Sequence, residues 1–250
     1  MPSPLRTRRR RLTWIAASGG VAAVVAAVVA LGGGGGGGDS ASPDRPAATA
    51  SAPAAETTPD EQQKSLLALA RRKDGDPLAL GRADAPVVLI AYEDFQCPFC
   101  GKFARETKPE LVRKYVDKGV LRIEWRNFPV FGAESEQAAR AAWAAGRQGR
   151  FWQFHDVAYA KERARNQGEF SSSRLRDMAR KAGVADLGRF EADRKSKAAD
   201  TAVRKDQEEG YALGVSSTPA FLVNATPVLG AQPLGTFGAA IEKAAKEARR

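Results

Sequence analysis

VVLIAYEDFQCPFC, residues 87–100, joins a run of apolar, β-favouring residues to the only two cysteines in the 250-residue chain. The run from Val87 to Tyr92 is continuous rather than alternating, which is typical of a central strand buried on both faces. Cys97 and Cys100 follow at the start of a stretch with helical spacing. A strand that delivers a Cys-x-x-Cys pair to the beginning of a helix indicates a dithiol/disulfide redox site.

The neighbouring elements complete a strand, helix, strand unit. Residues 98–117 carry one apolar face at helical spacing, and we expect Pro109 to kink this helix. Residues 120–126 alternate as a second strand, which predicts a right-handed unit with two parallel strands. The same periodicities predict a lead-in helix at residues 60–72, an edge strand at 78–80, a helical block at 134–214, a hairpin at 220–229 and a final helix at 234–249.

The N-terminal residues do not resemble part of a packed core. A cluster of five arginines between positions 6 and 11 precedes an uncharged stretch, residues 12–31. Twenty helical residues rise about 30 Å, which is enough to cross the hydrocarbon core of a bilayer. Because positive charge favours the cytoplasmic side, we expect residues 1–11 to be a basic cytoplasmic tail and residues 12–31 a transmembrane signal anchor. The C-terminal body is then extracytoplasmic.

A cleaved export signal is the alternative for this segment. Val28-Val29-Ala30 fits a small-residue cleavage site, although secretory apolar regions usually run only about 7 to 15 residues. Arg10-Arg11 also permits a twin-arginine export route. Residues 32–59 are rich in Gly, Ala, Ser and Pro and have few large apolar side chains, so they are predicted to be a disordered, flexible linker. Residues 60–250 form the folded domain.

The formal net charge of +10 invites a nucleic-acid interpretation. Residues 1–50 hold six basic and two acidic residues, however, which leaves a net charge of +6 for residues 51–250. In that part, basic and acidic residues alternate along helical stretches, as expected for a solvated surface. We therefore expect no nucleic-acid partner.

His155 is the only histidine, and we expect it to pack in a helix against Trp152 or Tyr159. A structural zinc site needs four ligands, and two cysteines with one distant histidine fall short unless two chains share their cysteines. We expect no metal and no cofactor.

Several further motifs occur in a fixed order around the cysteine pair. They are Ala85-Pro86-Val87, Asp94-Phe95-Gln96-Cys97-Pro98-Phe99-Cys100, Arg126-Asn127-Phe128-Pro129, Phe151-Trp152 with Phe154-His155-Asp156, Ser217-Thr218-Pro219-Ala220-Phe221 and Gly230-Ala231-Gln232-Pro233. Taken together, they make residues 77–250 resemble the DsbA family of thioredoxin-fold proteins. The resemblance implies an α/β fold, a thioredoxin fold with a helical domain inserted at about residues 134–214, here preceded by the transmembrane helix and the linker.

The two cysteines are expected to play different parts in catalysis. Cys97 lies at the first turn of the helix, where unpaired N–H groups and the helix dipole favour a thiolate, so we expect its pKa to be below that of free cysteine. Cys100, one turn deeper, would be the shielded partner thiol. Pro98 and Phe99 between them tune the redox potential. Because strong oxidants of the family often have a histidine where Phe99 stands, we expect a milder pKa depression than the value of about 3.5 known for DsbA.

The resemblance also implies a cis peptide bond between Thr218 and Pro219, next to the cysteines, with main-chain groups of Thr218 pairing to a bound substrate strand. An ordinary Thr-Pro turn at a strand start is the alternative. Thioredoxin-fold oxidoreductases commonly have a buried acid six residues before the first cysteine, and that position is Ala91 here. Glu93 and Asp94 are candidates for the proton relay, although a carboxylate in a loop beside a site is more often solvated.

These observations predict a thiol:disulfide oxidoreductase that introduces disulfides into exported, cysteine-containing proteins. The resemblance implies that a quinone-linked membrane partner, of the DsbB or vitamin K epoxide reductase-like type, reoxidises the enzyme. An extracytoplasmic disulfide reductase or isomerase is one alternative. A non-catalytic, thioredoxin-like peptide-binding module with a static disulfide is an alternative of another class.

Overall fold

One mixed sheet of five strands organises residues 58–249, the part of the chain that this computed structural model describes. The strands are β1 (Ala79–Leu80), β2 (Val87–Glu93), β3 (Leu121–Asn127), β4 (Ala220–Val223) and β5 (Thr226–Leu229). Their order across the sheet is β1-β3-β2-β4-β5. The β2 and β3 strands are parallel, and every other neighbouring pair is antiparallel. This is the thioredoxin-like sheet that the sequence predicts.

The helices of the described residues precede, follow and interrupt this sheet. They are α1 (Pro59–Leu67), α2 (Pro98–Lys102), α3 (Lys108–Leu111), α4 (Ala133–Gly146), α5 (Phe151–Tyr159), α6 (Ser172–Lys181), α7 (Leu187–Arg194), α8 (Lys197–Ala212) and α9 (Leu234–Glu247). The predicted cytoplasmic tail, the signal anchor and nearly all of the linker lie outside the described residues. Between residues 58 and 249, no helix combines the length and apolar character that a membrane span requires.

The central strand β2 is buried along its whole length, as its continuous apolar sequence predicts. On one face of the sheet, an aromatic cluster packs over it, with ring centroids of Phe103 and Phe221 4.4 Å apart and those of Phe103 and Phe237 5.3 Å apart. Burial of such large rings supplies much of the hydrophobic free energy of a core. The cluster fixes the helix that carries the cysteines against the sheet.

That helix is not a simple α-helix. Between α2 and α3 it passes through a π-helical segment, Phe103–Thr107, and a second one, Val112–Val116, follows α3. A proline lacks the backbone N–H and its ring crowds the carbonyl four residues earlier, and Pro109 stands two residues after the end of the first segment. The expected disturbance at Pro109 therefore takes the form of wide π turns, which often occur at functional sites.

Helices α4 to α8 are inserted between β3 and β4, which confirms the predicted helical insertion. Their own core combines the small residues of α4 with large aromatic ones, including Phe154, Phe170 and Phe190, all fully buried. The β4–β5 hairpin and α9 then complete the thioredoxin half.

The lead-in helix is shorter than predicted. Helix α1 ends at Leu67 rather than at residue 72, and none of its residues is buried. Residues beyond it form a turn and an irregular arm, in which the backbone N–H groups of Arg71 and Arg72 each donate to the carboxylate of Glu124 at 2.9 Å. A buried carboxylate outcompetes the intrahelical acceptors for these N–H groups, so the helix stops.

Strand β3 differs from an ordinary half-solvated strand, because its alternating polar residues are buried together with its apolar ones. Arg126, with no exposed surface, donates to Glu209 at 2.7 Å and to Glu124 at 3.3 Å. Arg122 donates to Glu124 at 2.8 Å. The complete charge cluster consists of Arg71, Arg122, Glu124, Arg126, Asp206 and Glu209.

Candidate active site

Cys97 occupies the N-cap of α2, at the point where β2 delivers the chain to the helix. Its backbone is extended, and its Sγ atom accepts a hydrogen bond from the N–H of Cys100 at 3.4 Å. The Sγ–H group can donate to the carbonyl oxygen of Thr218, 3.2 Å away. Both cysteines are free thiols, so the structure represents the reduced form.

The pKa of Cys97 is lowered to about 6. The thiol of Cys100 donates to the Cys97 sulfur, and the backbone N–H groups of Cys100 and Phe99 add to this effect, which together outweigh burial. Each of these donors stabilises the thiolate relative to the thiol. The direction and the moderate size of the depression agree with the sequence-based expectation.

Cys100 shows the opposite behaviour. It is fully buried, and burial raises its pKa well above the ordinary value, in the same direction as its hydrogen bond to Cys97. At neutral pH the pair therefore consists of a reactive thiolate at Cys97 and a protonated thiol at Cys100. This difference matches the two parts that the sequence assigns to them.

Thr218 and Pro219 reach the cysteines through the sheet. Strand β4 starts at Ala220, which pairs with Tyr92 near the end of β2, so the residues just before β4 lie beside the turn that holds Cys97. The Thr218–Pro219 peptide bond is cis, as the resemblance implies. The contact between Thr218 and Cys97 places a main-chain acceptor at the reactive sulfur.

Pro98 and Phe99 are both exposed, and Phe99 has 61% of its surface accessible. The ring of Phe99 has no polar hydrogen, so it can donate no hydrogen bond to a thiolate at Cys97. It adds an apolar surface next to the nucleophile instead. Among the large apolar residues of the described chain, only a few are this accessible.

Glu93 corrects the expectation of a solvated carboxylate. It is the last residue of β2 and only 2% exposed, and its Oε2 atom has no hydrogen-bond partner within residues 58–249. Burial raises its pKa well above the ordinary value and the charge of Cys97 adds to the rise, while Lys108 and the thiol of Cys100 act against it. Ala91, the position of the usual acid, lies two residues earlier beside Trp125 of β3. The raised pKa favours the protonated form of Glu93, close to the thiol of Cys100 that acts on it.

Asp94 is also buried rather than solvated, but its hydrogen bonds give it a different part. One carboxylate oxygen accepts from the backbone N–H groups of Val130 at 2.7 Å and Phe131 at 3.2 Å. The other accepts from the N–H of Gln96 at 2.8 Å and from the hydroxyl of Ser135 at 2.6 Å. With four donors on its two oxygens, Asp94 clamps the turn before the cysteines to the start of the insertion.

Gln96 extends this set of hydrogen bonds, a role that no local sequence pattern indicates. Its side-chain NH₂ group donates to Ser135 at 2.9 Å and to Asn166 at 3.1 Å, and its side-chain carbonyl accepts from the N–H of Asn166 at 2.7 Å. The residue directly before Cys97 is therefore tied to a loop of the inserted helices. Such contacts join positions about 70 residues apart and leave no local pattern.

A second polar group missed by the sequence lies on the same helix as the cysteines. Lys108 is 6% exposed, and its Nζ atom donates to Oδ1 of Asp156 at 2.5 Å and lies 3.2 Å from Nδ1 of His155. His155 is fully buried and packs, as expected, against Trp152 and Tyr159, with ring centroids 5.1 and 4.9 Å away. Burial and the charge of Lys108 lower the pKa of His155 to about 4, so it is neutral at neutral pH.

Asp156 completes this group and is its exposed member, with 63% of its side chain accessible. Although burial opposes the change, its hydrogen bond with His155 and the charge of Lys108 lower the pKa of Asp156 to about 2. Among the described residues, no cluster of three or more His, Cys, Asp and Glu side chains is arranged to hold a metal ion.

Comparison with known proteins places this site in a family. The profile of the family described as Thioredoxin matches residues 73–243. Over 149 residues the chain is 32% identical to a protein named probable disulfide bond formation protein D from Bacillus anthracis, a match that covers 58% of this chain and 69% of that protein. The crystal structure of oxidised BdbD from Bacillus subtilis is similar with a TM-score of 0.64 and 25% identity, covering 69% of this chain and 94% of that one.

A relative of another kind contains a similar segment within a much longer protein. The chain is 31% identical over 166 residues to a protein named Na(+)/H(+) antiporter NhaA 1 from Salinispora arenicola. The match covers 66% of this chain but only 24% of the antiporter, so the likeness extends to a quarter of that protein.

The sheet, the inserted helices and the Cys97–Cys100 dithiol beside Thr218 define a thioredoxin-like redox protein. The chain belongs to the Thioredoxin family matched above and, within it, to the DsbA-type thiol:disulfide oxidoreductases. It is therefore an enzyme of disulfide exchange, and the non-catalytic binding module is set aside.

Proposed function

We propose that this oxidoreductase works as an oxidase, which introduces disulfides into cysteine-containing proteins exported across the cytoplasmic membrane. The observation that carries the proposal is the lowered pKa of Cys97, about 6, beside a protonated Cys100. Stabilising the thiolate of the reduced form makes the corresponding disulfide easier to reduce and therefore a better oxidant. A relative named for disulfide bond formation supports the same direction.

The lowered pKa of Cys97 and the raised pKa of Cys100 determine which sulfur is attacked and which one leaves. A substrate thiolate attacks the Cys97 sulfur of the oxidised enzyme, the Cys97–Cys100 bond breaks, and the Cys100 sulfur leaves and takes up a proton. A second substrate thiolate then attacks the substrate sulfur of the mixed disulfide, and Cys97 leaves as its stabilised thiolate. Two electrons have moved from the substrate to the enzyme. The main chain of Thr218 pairs with the substrate strand during these steps.

The reduced enzyme must pass its two electrons on. We assign this step to a quinone-linked membrane partner, of the DsbB or vitamin K epoxide reductase-like type, whose disulfide Cys97 attacks. The exposed ring of Phe99 next to Cys97 provides apolar surface for such a contact.

The proposed location is the outer side of the cytoplasmic membrane, with residues 12–31 as a retained anchor. The arginines before this uncharged stretch support the orientation, and the antiporter relative supports a connection to membranes. Alkaline extraction of membranes from cells producing the full chain tests it, because an anchored protein stays in the pellet. A released protein that has lost its N-terminal residues would support the cleaved export signal instead.

Glu93 is the proposed proton partner of Cys100. It is buried close to Cys100, and its Oε2 atom has no hydrogen-bond partner within the described residues 58–249, so its carboxyl group can give a proton to Cys100 when this sulfur leaves and take it back when Cys100 attacks. Glu93→Gln keeps the shape but cannot exchange a proton. The variant should slow the closing of the Cys97 mixed disulfide by about 10-fold or more, in line with general acid–base catalysis.

The direction of electron flow is decided by the equilibrium potential of the Cys97–Cys100 couple against glutathione. A value near that of DsbA, about −120 mV, supports the oxidase, and a value near that of thioredoxin, about −270 mV, supports the reductase. A potential near that of protein disulfide isomerase, about −180 mV, together with refolding of a scrambled substrate, would favour the isomerase.

A further inference from the structure

A shallow cleft opens beside Cys97 on the side of the inserted helical domain. Its walls are the turn at residues 96–98, Gly101 and Arg105 of the helix that carries the cysteines, and the end of α5 with the residues after it. Thr218 contacts Cys97 but is not part of this cleft. A substrate that is held at Thr218 and bonded to Cys97 therefore meets a second surface on this side.

Arg105 brings a positive charge into the cleft. Long side chains on a helix lean towards its N-terminal end, and the side chain of Arg105 runs back over Gly101, where an added Cβ atom would lie only 2.8 Å from Nη1 of the arginine. The same Nη1 atom donates to the carbonyl oxygen of Tyr159 at 3.0 Å. The glycine that follows Cys100 thus leaves the room that this guanidinium group occupies.

The guanidinium group of Arg105 keeps donors for a further partner. Of its five N–H groups, those on Nη2 face the carboxylate of Glu162 over a distance of 3.5 Å. The side chain of Glu162 is 84% exposed and that of Arg105 is 28% exposed, so this ion pair contributes little. A carboxylate on a substrate can replace Glu162 and accept two parallel hydrogen bonds from the guanidinium group.

Lys161 adds a second cation to the cleft, whereas Arg163 does not. The side chain of Lys161 is 65% exposed, and its ion pair with Glu169 spans 4.0 Å. Arg163 is only 10% exposed at its side chain and donates to Glu169 at 2.8 Å and to the carbonyl oxygen of Ala158 at 2.9 Å. The charge of Arg163 is therefore paired within the domain, and Arg105 and Lys161 are the cations that a ligand in the cleft can reach.

The charge of the whole domain favours an anionic ligand as well. Residues 147–197, which include α5, α6 and α7, hold 13 basic and seven acidic residues. They carry the entire net charge of +6 of residues 51–250, and the remainder of that range is neutral overall. A field of one sign raises the encounter rate with partners of the opposite sign.

We propose that Arg105 and Lys161 form a binding site for a carboxylate of the substrate, so that the enzyme prefers cysteine-containing segments with Asp or Glu beside the reacting cysteine. The carboxylate replaces Glu162 at Arg105 while the backbone of the segment pairs with Thr218. The inference names the substrate class of the proposed function. It rests on exchange at Cys97 and not on the direction of electron flow.

The test uses three peptides with a single cysteine, which differ only in whether Glu, Gln or Lys flanks it. Each is supplied as its mixed disulfide with thionitrobenzoate. The Cys97 thiolate of the reduced full chain attacks the peptide sulfur, the bond to thionitrobenzoate breaks, and the absorbance of the released thiolate gives the rate. Each rate is divided by that of mercaptoethanol with the same peptide, which removes intrinsic differences in reactivity. The Glu peptide should react fastest and the Lys peptide slowest, and added salt should reduce the difference.

Arg105→Gln and Lys161→Gln should each lower the ratio of the Glu to the Lys rate about two- to fivefold, as expected for the loss of one exposed charge pair. Glu162→Gln removes the competing carboxylate and should raise the ratio. Because both rates are measured on the same variant, the ratio does not depend on the pKa of its Cys97 or on the fraction of protein that is folded.

Lys243→Gln is the matched control, because it removes the same charge at a distant place. The side chain of Lys243 is 69% exposed and lies on α9 beside the β4–β5 turn, whereas Cys97 lies near the opposite end of β4. This variant should keep the ratio of the unmodified chain.

An unchanged ratio in both Arg105→Gln and Lys161→Gln overturns the inference. An equal decrease in Lys243→Gln also overturns it, because the preference would then come from overall charge. Both results leave exchange at Cys97 intact, and the proposed direction of electron flow is judged separately by the equilibrium potential. If the unmodified chain releases no thionitrobenzoate from any peptide, the exchange itself fails, and the inference with it.

Discussion

The Sγ atom of Cys97 lies 3.2 Å from the carbonyl oxygen of Thr218, although the two residues are 121 positions apart in the chain. The antiparallel pairing of β4 with β2 produces this contact, because it brings the start of β4 to the end of β2. An extended chain that pairs with the backbone at Thr218 would carry its own sulfur to Cys97. The same contact therefore positions both partners of the exchange.

Cys100→Ser should convert the enzyme into a trap. The remaining Cys97 thiolate still attacks a disulfide, but no second thiol can resolve the product, so mixed disulfides should accumulate. Non-reducing gels of the purified variant mixed with a disulfide-containing protein check this, and a reductant should dissolve the adducts. Cys97→Ser is the matched variant and should form none, because Cys100 is fully buried and its pKa is raised. Adducts on that variant would contradict the assignment of Cys97 as the attacking sulfur.

Phe99→His should lower the pKa of Cys97 below its present value of about 6. An imidazole at this exposed position can donate a hydrogen bond to the thiolate, which the phenyl ring cannot. A decrease of the Cys97 pKa by about one unit would shift the equilibrium with glutathione about tenfold towards the reduced enzyme. Thiolate absorbance at 240 nm and the glutathione equilibrium measure the two changes. Phe99→Leu, which also lacks a donor, is the control, and an equal shift in both variants would contradict the explanation.

Glu93→Gln should change how stability depends on pH. Burial raises the pKa of the Glu93 carboxyl group in the folded protein well above the value of 4.5 near which it ionises in the unfolded chain. Above that pH the folded state binds one more proton than the unfolded state, so the free energy of unfolding falls as pH rises towards the raised pKa. The glutamine variant lacks this loss. The free energy of unfolding of the variant, relative to that of the unmodified protein, should therefore increase from pH 4.5 upwards, by at most about 1.4 kcal/mol per pH unit.

Urea unfolding of the reduced protein at several pH values measures this difference. Because the charge of Cys97 acts on Glu93, the same comparison is made on the Cys97→Ser background, where the difference isolates Glu93. Parallel curves from pH 4 to pH 7 would show that Glu93 ionises normally in the folded protein.

Arg126→Met should be strongly destabilising. Arg126 is completely buried and pairs with Glu124 and Glu209, and its loss leaves both carboxylates short of a partner. Removing one member of a buried ion pair typically costs about 3–5 kcal/mol. Arg180→Ala removes an exposed arginine paired with Asp177 and should cost less than about 1 kcal/mol. Denaturant unfolding of both variants makes the comparison, and similar losses would show that the buried cluster contributes little.

The sequence predicts well those parts of the fold that depend on neighbouring residues. Strand β2, the helix at Cys97 and the helical insertion all follow from local periodicity, because burial on one face or on two leaves a regular pattern. The pKa depression of Cys97 follows likewise from its place at a helix start. Predicting these elements and the direction of the pKa shift requires no knowledge of contacts between residues that are distant in the chain.

Contacts across the chain explain where the prediction fails. Helix α1 ends early because Glu124, some 50 residues away, binds the N–H groups of Arg71 and Arg72. Glu93 was expected to be a solvated loop carboxylate, yet it is the last residue of β2 and is 2% exposed. The sequence around Lys108 is typical of an exposed residue. Its buried position depends on Asp156 and His155, which lie on the inserted helix α5. No local pattern records such pairings.

The arm at Arg71 and Arg72 also affects how the domain responds to a pulling force on its N-terminal side. A force that reaches the domain through residue 58 meets α1 first, and this helix has no buried residue to resist it. The first attachments are half-buried Leu66 and Leu69, which pack against the core, and the carbonyl oxygen of Leu69, which accepts from Arg126 at 2.8 Å. The backbone bonds of Arg71 and Arg72 to Glu124 follow, on the face of the sheet opposite the aromatic cluster of Phe103, Phe221 and Phe237. We therefore expect a pull on the N-terminal side to detach α1 first and to be borne next by the charge cluster on β3, before it reaches the strand that leads to Cys97.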